Sequence, residues 1–255
     1  MKLKKLPGFS LGLIALAVGN AYAEQFIQHD EYKHAVAIKD GEVKDIDNAL
    51  VITTGNGSYG VSVAGEGSNL TINKGVIVTT GGLYPSGNRP LSTVYTASAV
   101  VSEYGGAVIL QGNNTIVTTG DYSIGLLNQT NGNLNTDTII RVNTDGSVNP
   151  HLSDEGNTFI VTAGNYAVGV LACASPGSAR ACVSSLDEES TADTGSNENN
   201  AKAKLDMAKG EITTHGTKSY AAYANGTVVK AGSKLDYTNA SVTLTDVDIT
   251  THGDN

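Results

Sequence analysis

The chain has few charges, few aromatic residues and little proline. Of its 255 residues 16% are charged and 5% are aromatic, with five prolines and no tryptophan. The 25 acidic residues outnumber the 16 basic ones, giving a net charge of −9, and no basic stripe of the kind that binds nucleic acid is present. Disordered chains usually carry more charge or more proline than this one, which is 40% hydrophobic.

Glycine is the residue that the chain has in quantity, with 30 copies. It never recurs at every third position, which excludes collagen. Together with frequent threonine, asparagine and valine, this composition is typical of many short strands joined by turns. The length suits one or two domains with a buried core.

Residues 1–23 have the order of a secretory signal peptide. Three lysines precede an apolar run from Leu11 to Val18, which is too short to span a bilayer. A small-x-small pattern then ends at Ala23, so cleavage is predicted between Ala23 and Glu24. Removing the three lysines changes the net charge from −9 to −12.

Two short phrases recur along the rest of the chain. The first is an aliphatic residue followed by Thr-Thr-Gly, and two of its copies are interpreted as carrying an inserted histidine. The second follows three residues after the glycine and contains a Gly-Val or Ala-Val type of pair. Copies of the first phrase lie at 52–55, 78–81, 117–120, 161–164, 212–216 and 249–253, and copies of the second at 58–61, 97–100, 123–126, 167–170 and 219–222.

The repeat predicts an all-β fold, a right-handed parallel β-helix of about five to six coils. The shortest interval, from Gly55 to Gly81, fits one coil of three short strands, with first strands expected at 60–63, 69–72 and 76–80. Alternation predicts that one set of strand residues lies inside and the other in water. An interior ladder is expected from Val61, Val100, Leu126, Val170 and Ala222, and a row of tiny residues at a bend from Gly60, Ala99, Gly125, Gly169 and Ala221.

The predicted domain organisation has three parts. Residues 1–23 are the signal peptide, residues 24–48 are a cap or lead-in without the phrase, and residues 49–255 are the β-helix repeats. Longer intervals predict loop insertions at 83–95, 143–157 and 174–203.

The export signal, the two phrases and a third phrase, Gly-Ser-x-Leu at 67–70 and 232–235, resemble the passenger of a bacterial autotransporter. The similarity is to the pertactin-like and AIDA-like passengers and covers residues 49–255. It implies passage through the periplasm and display at the outer-membrane surface, or release outside the cell, of a Gram-negative bacterium. It also implies that the parent protein has its own C-terminal β-barrel. Because the sequence stops halfway through a sixth coil, we expect an N-terminal fragment or a truncated gene product, the alternative being a complete small protein.

Catalytic motifs are missing from the sequence. It contains neither the Gly-Asp-Ser-Gly of serine-protease passengers nor a Gly-x-Ser-x-Gly elbow. The acidic run Asp187, Glu188 and Glu189 is interpreted as a solvated loop, since paired carboxylates for sugar cleavage must converge from different coils. We therefore expect no enzyme, no catalytic residue and no cofactor.

Metal-like and aromatic clusters favour structural roles. His29, Asp30, Glu31 and His34 lack the spacing of a zinc helix and are interpreted as a polar segment, so no metal site is predicted. His215 and His252 are expected to stack at a turn. Four tyrosines near turns are favoured for packing over carbohydrate stacking, namely Tyr59, Tyr122, Tyr166 and Tyr220.

Cys173 and Cys182 are the only cysteines, and they flank a Ser-Pro-Gly turn. In an oxidising compartment such a loop should close as a disulfide, contributing roughly 2–3 kcal/mol. A metal pair needs two more ligands, and none is adjacent.

The function expected from the sequence is a non-enzymatic scaffold for adhesion. Its partners would be unidentified protein or glycan molecules on host or bacterial surfaces, and not nucleic acid. The alternative is a secreted carbohydrate-active β-helix enzyme, either a polysaccharide lyase or a hydrolase. That alternative requires a groove with convergent acidic and basic side chains.

Overall fold

The computed structural model describes residues 23–84, 95–131, 136–144, 156–175, 202–226, 228–231, 234–237 and 240–253. All regular elements within these ranges are β-strands. In this part of the chain, no segment forms a helix with the length and hydropathy needed to cross a membrane. Of the predicted insertions, 83–95, 143–157 and 174–203, most residues lie outside the described ranges.

The strands form three parallel ladders, which we call A, B and C, and one short hairpin. Ladder A consists of β1 (Glu24–Gln28), β4 (Ala49–Thr53), β7 (Val76–Thr79), β10 (Asn114–Thr118), β13 (Thr158–Ala163) and the second halves of β15 (Ala203–His215) and β19 (Ala240–His252). Ladder B consists of β2 (Val36–Ile38), β5 (Tyr59–Ala64), β8 (Ser98–Glu103), β11 (Ile124–Asn131), β14 (Val168–Ser175) and β16 (Tyr220–Gly226). Ladder C consists of β3 (Val43–Asp47), β6 (Asn69–Asn73), β9 (Ala107–Gln111), β12 (Thr138–Val142) and the first halves of β15 and β19. The hairpin pairs β17 (Val228–Ala231) with β18 (Lys234–Tyr237).

The chain visits ladders A, B and C in turn, so the fold is an all-β, solenoid-like stack of parallel strands. Each strand pairs with strands one circuit earlier and one circuit later, never with its immediate neighbour in sequence. Ladders A and C join into one sheet because β15 and β19 each run through a corner between them. At these corners Lys209 and Asp246 have left-handed backbone, with φ of 54° and 52°.

The predicted interior ladder is confirmed. Val61 pairs with Val100, Val100 with Leu126, and Leu126 with Val170, and all four side chains have 0% exposure. Ala222 is the partly buried fifth member. These aliphatic side chains lie in one continuous core shared by the three ladders, which is the main driving force for stacking the strands.

The predicted row of tiny residues is explained by space. A β-carbon at Gly60 would lie 2.6 Å from the Ala99 carbonyl oxygen and 2.9 Å from Ile77 Cγ2. At Gly125 and Gly169 a β-carbon would meet equivalent atoms, and the backbone of all three glycines lies outside the left-handed region. Close approach, rather than an unusual φ, therefore excludes larger side chains here.

The two threonines of the first phrase face opposite ways. The first threonine points inward and is buried, and the Thr53 hydroxyl donates a 3.1 Å hydrogen bond to that of Thr79. The second lies at the outer surface. In the fifth copy the register pairs Thr162 with Thr214 and Ala163 with His215. The interpretation of an inserted histidine is therefore wrong, because His215 replaces the second threonine.

Residues 24–48 take part in the stack. Strands β1, β2 and β3 pair in parallel with β4, β5 and β6, so this segment covers one end of the strands that carry the first phrase. The ammonium of Lys44 lies 5.1 Å from the centre of the Phe26 ring at this end.

Ladder B departs from the predicted alternation. Ser62, expected in water, is 5% exposed, and the outward-facing Val101, Leu127 and Leu171 in the same row are at most 1% exposed. They form a second apolar cluster with Tyr59, Ile124 and Val168. Both sides of this ladder are thus buried, which is wrong for a strand with one wet face and is typical of parallel sheets.

Candidate functional site

The predicted cleavage site lies at the start of the described chain. Glu24 is the first residue of β1, and the Ala23 amide donates a 3.2 Å hydrogen bond to the Asn48 carbonyl. Residues 1–22 lie outside the described residues, so the signal peptide and its cleavage stay predictions.

Cys173 lies on the outer side of β14 with 1% exposure and is disulfide-bonded. Cys182 lies outside the described residues, so the Cys173–Cys182 pairing itself stays a prediction. The acidic run Asp187, Glu188 and Glu189 lies outside them too.

The histidine-rich segment after β1 is distributed over separate contacts. His29 Nδ1 lies 2.9 Å from the Thr54 hydroxyl, and Glu31 accepts a 3.2 Å hydrogen bond from Asn56. Within the described ranges, no group of three or more His, Cys, Asp or Glu side chains is arranged to hold a metal ion.

His34 is held as a neutral acceptor. Its ring stacks on that of Tyr59 at a centroid distance of 4.7 Å, and its Nδ1 accepts a 3.3 Å hydrogen bond from the Tyr59 amide. Burial lowers the pKa of His34, because the charged imidazolium loses its water. This arrangement serves packing at the turn between β1 and β2.

His215 and His252 stack as predicted. Their rings lie 4.8 Å apart at an angle of 11°, at paired positions of β15 and β19. Partial burial, followed by the neighbouring charge of His252, lowers the pKa of His215. The stacked geometry points the ring nitrogens along parallel planes, so the pair does not converge on a common point.

The turns from ladder A to ladder B form an aromatic edge, which we define as Tyr32, Tyr84, Tyr95, Tyr122, Tyr166 and Lys218. One position in each described turn has left-handed backbone, and tyrosine occupies it three times. Its φ is 53° at Tyr32, 58° at Tyr122 and 56° at Tyr166, and the equivalent positions elsewhere are Gly57 and Lys218. Left-handed backbone costs a bulky residue roughly 1–2 kcal/mol, and such strain clusters at functional sites.

Tyr122 and Tyr166 stack on each other along the edge. Their ring centroids are 4.7 Å apart at an angle of 1°, and Lys218 Nζ lies 5.3 Å from the Tyr166 ring centre. Each contact of this kind contributes about 1 kcal/mol. Because the facing ring surfaces are used within the stack, ring edges and hydroxyls are the parts that a partner can reach.

A second aromatic group lies at the other end of the edge. Tyr32 stacks on Tyr84 at 5.7 Å and contacts Tyr95 at 4.3 Å, while Tyr84 and Tyr95 exchange backbone hydrogen bonds. Gly57 makes room for them, since a β-carbon there would lie 2.5 Å from Tyr84 Cβ. Tyr32 is 43% exposed, so this group is open to solvent.

One buried acid lies on the outer side of ladder B. Glu103 accepts a 2.8 Å hydrogen bond from Gln129, its partner in the register. Burial raises the pKa of Glu103, and the bond from Gln129 opposes that shift. A carboxyl held protonated in this way has the character of a general acid, but its contact with Gln129 is also what a buried structural carboxyl needs.

Sequence reasoning identified part of the aromatic edge. It singled out Tyr122 and Tyr166, whereas Tyr59 is buried and Tyr220, 38% exposed, lies on β16 instead. Tyr32 and the Tyr84–Tyr95 pair were missed. A detectable signal was the fixed offset of two residues between the phrase glycine and the left-handed position, as in Gly120 and Tyr122.

Comparison with known proteins adds no family to this geometry. No protein-family model matches the chain, and no curated protein or solved structure is significantly similar to it. The fold therefore rests on the strand register, and any function must be argued from the surfaces described above.

Proposed function

We propose that the chain is the passenger part of an autotransporter, displayed at the cell surface or secreted, and that it is a non-enzymatic adhesion scaffold. In this proposal the stack is a right-handed parallel β-helix of about five to six coils. The two phrases, the resemblance they carry and the parallel ladders support it. The N-terminal segment would direct export, and a β-barrel in the parent protein would carry the chain across the outer membrane.

The observation that carries the adhesion proposal is the aromatic edge. Tyrosines are enriched where proteins bind partners, because a ring offers large contact area at low entropic cost and its hydroxyl bonds polar groups. Here they occupy strained positions on a rigid stack, where glycine or asparagine would be less costly. A scaffold that holds such residues in place loses little entropy when it binds.

Charge favours certain partners on cell surfaces. With a net charge of −9, or −12 after the predicted cleavage, the chain repels acidic surfaces at long range. Lys218 is the cation within the aromatic edge. Neutral glycans and uncharged protein patches therefore suit this edge better than strongly anionic polymers.

The test is saturable binding of the chain from Glu24 onward, fluorescently labelled, to host epithelial cells and to bacterial cells. Replacing both Tyr122 and Tyr166 with Asn, which tolerates left-handed backbone, is expected to weaken binding by about tenfold or more. The matched control is Tyr104→Asn, since Tyr104 also has left-handed backbone, with φ of 53°, and is 38% exposed at a different turn. Binding that is absent, or equally weakened in the control, contradicts the proposal.

Enzymatic activity is tested in parallel on polygalacturonate and alginate. Turnover by the unmodified chain that disappears in Glu103→Gln would overturn the adhesion proposal in favour of the carbohydrate-active alternative. Export is tested separately by the intact mass of the surface-exposed protein, which should begin at Glu24.

A further inference from the structure

The outer side of ladder A is an uncharged, largely apolar surface. We define this apolar face as the outward residues of β1, β4, β7, β10 and β13 and of the positions that directly follow them. None of these residues is Asp, Glu, Lys or Arg, and His29 is their one titratable group. The residues are Gln25, Ile27, His29, Leu50, Ile52, Thr54, Val76, Val78, Thr80, Thr115, Val117, Thr119, Phe159, Val161 and Ala163.

The apolar face is open to solvent and flat. Ile27 is 53% exposed and Phe159 is 43% exposed, while Ile52, Val76 and Val161 are partly exposed. Val78 and Val117 lie in the middle, at 4% and 6% exposure. In a ladder each side chain has neighbours about 4.8 Å away on both sides, which shade the central ones and leave a level surface.

The other surfaces of the stack differ in charge. The outer side of ladder C carries Asp45, Arg141 and Asp206, and the last two strands of ladder A carry Glu211 and Asp248. The apolar face ends where those acids begin. Two copies of one acidic chain repel each other at long range, so they approach most easily through a surface without charge.

We propose that the apolar face binds the same face of a second copy of this chain. Such a contact is self-complementary, since uncharged aliphatic rows meet identical rows about a two-fold axis. Contiguous exposed apolar patches of this kind mark interaction sites. The inference does not depend on the proposed function, because self-association and partner binding use different residues.

The size of the apolar face predicts a weak contact. Five strands spaced about 4.8 Å apart, each about five residues of about 3.3 Å, cover roughly 400 Å² per partner. Stable interfaces bury about 800 Å² per partner, so a transient dimer is expected. Many copies displayed on facing cells would add such contacts through multivalency.

The test is sedimentation equilibrium of the full chain from Glu24 onward over a wide range of concentration. The weight-average mass should rise towards that of a dimer, and added salt should strengthen the association, because salt screens the repulsion between two acidic copies. A contact held by ion pairs would weaken with salt instead. A monomer at every concentration, or weakening by salt, would overturn the proposal.

Two charge variants locate the surface. Phe159→Glu on the apolar face should weaken association by about tenfold or more. The control is Val43→Glu, which puts the same charge at a 68% exposed apolar residue on the outer side of ladder C and should change association by less than about twofold. Both positions are exposed, and unchanged circular dichroism and thermal unfolding verify the fold. Equal effects of the two variants would contradict the assignment.

Discussion

At the scale of single residues, the glycine that ends the first phrase is set by close packing of the backbone. A β-carbon added at Gly120 would overlap the carbonyl of Gly81 in the preceding copy, and one at Gly164 would overlap the carbonyl of Gly120. Only Gly216 in this row also has a left-handed backbone, with φ of 123°. Each copy of the phrase therefore needs a residue without a side chain at this corner.

Replacing Gly120 with Ala should destabilise the chain by about 2 kcal/mol or more, since backbone must move to admit the methyl group. Urea unfolding followed by circular dichroism measures the loss. The control is Gly82→Ala, where a β-carbon would meet only Asn56 Oδ1 at 3.7 Å. A similar loss in both variants would argue against close packing at the corner.

Glu103 gives a prediction about pH. Its pKa is raised by burial, so the folded state binds more protons than the unfolded state, and stability falls as pH rises from the ordinary glutamate pKa through the raised one. Glu103→Gln removes the charge and keeps an oxygen that can accept the hydrogen bond from Gln129. We expect this variant to melt at a higher temperature than the unmodified chain at neutral pH.

The control for this prediction is the same comparison at a pH below the ordinary glutamate pKa. There both forms are uncharged, and the melting temperatures should converge. A difference that stays constant with pH would show that burial of charge at Glu103 is not its cause.

At the scale of strands, the pattern of ladder B shows where alternation misleads. Adjacent apolar pairs such as Val100–Val101, Leu126–Leu127 and Val170–Leu171 are typical of strands buried on both sides, and they were visible in the sequence. Reading the first copy, with Ser62 between two valines, as representative gave the wrong exposure. What covers a sheet face depends on distant parts of the chain, and local periodicity does not contain that information.

Alignment by eye also failed at His215. The phrase there reads Ile-Thr-Thr-His-Gly, so matching the threonines required an insertion, whereas the backbone register matches the glycines. Register follows the hydrogen bonds and the inward-facing residues, which makes Thr213 the equivalent of Val161.

The stacked histidines predict that acid loosens the end of the stack. Because the pKa of His215 is lowered, the folded state binds fewer protons there, and the stability it contributes above its ordinary pKa of about 6.5 is lost as pH falls. Hydrogen-exchange protection factors of residues 247–252 should therefore drop between about pH 7.5 and about pH 5. In His215→Thr, which restores the phrase, the drop should be smaller.

The controls for this effect are β10 in the same experiment and the variant His29→Thr. His29 is at the equivalent outward position but contacts Thr54 rather than another histidine. Acid sensitivity that follows His29 rather than His215 would refute the explanation.

At the scale of the whole molecule, the winding of the chain was predictable and its surfaces were not. Two phrases at matching positions placed Val61, Val100, Leu126 and Val170 in one interior ladder, because stacked copies must bury the same residues. The aromatic edge required knowledge of backbone conformation at turns. The apolar face required knowing which of two aliphatic rows points outward, and periodicity assigns both rows equally well.

The two candidate surfaces are neighbours on the stack. The aromatic edge follows the turns that leave ladder A, and the apolar face is the outer side of ladder A itself. A partner on the edge and a second copy on the face would therefore lie side by side. Variants of Phe159 and of the Tyr122–Tyr166 pair separate the two interactions.

The most direct test of the stacked architecture is a set of distances between spin labels along one outward row of ladder A, measured by double electron–electron resonance. Labels at His252 and at Thr80, Thr54 or His29 are separated by four, five and six strand spacings in the register. At about 4.8 Å per spacing, the backbone separations should be about 19, 24 and 29 Å. Three narrow distributions rising in equal steps would match the stack, whereas broad or unordered distances would contradict it.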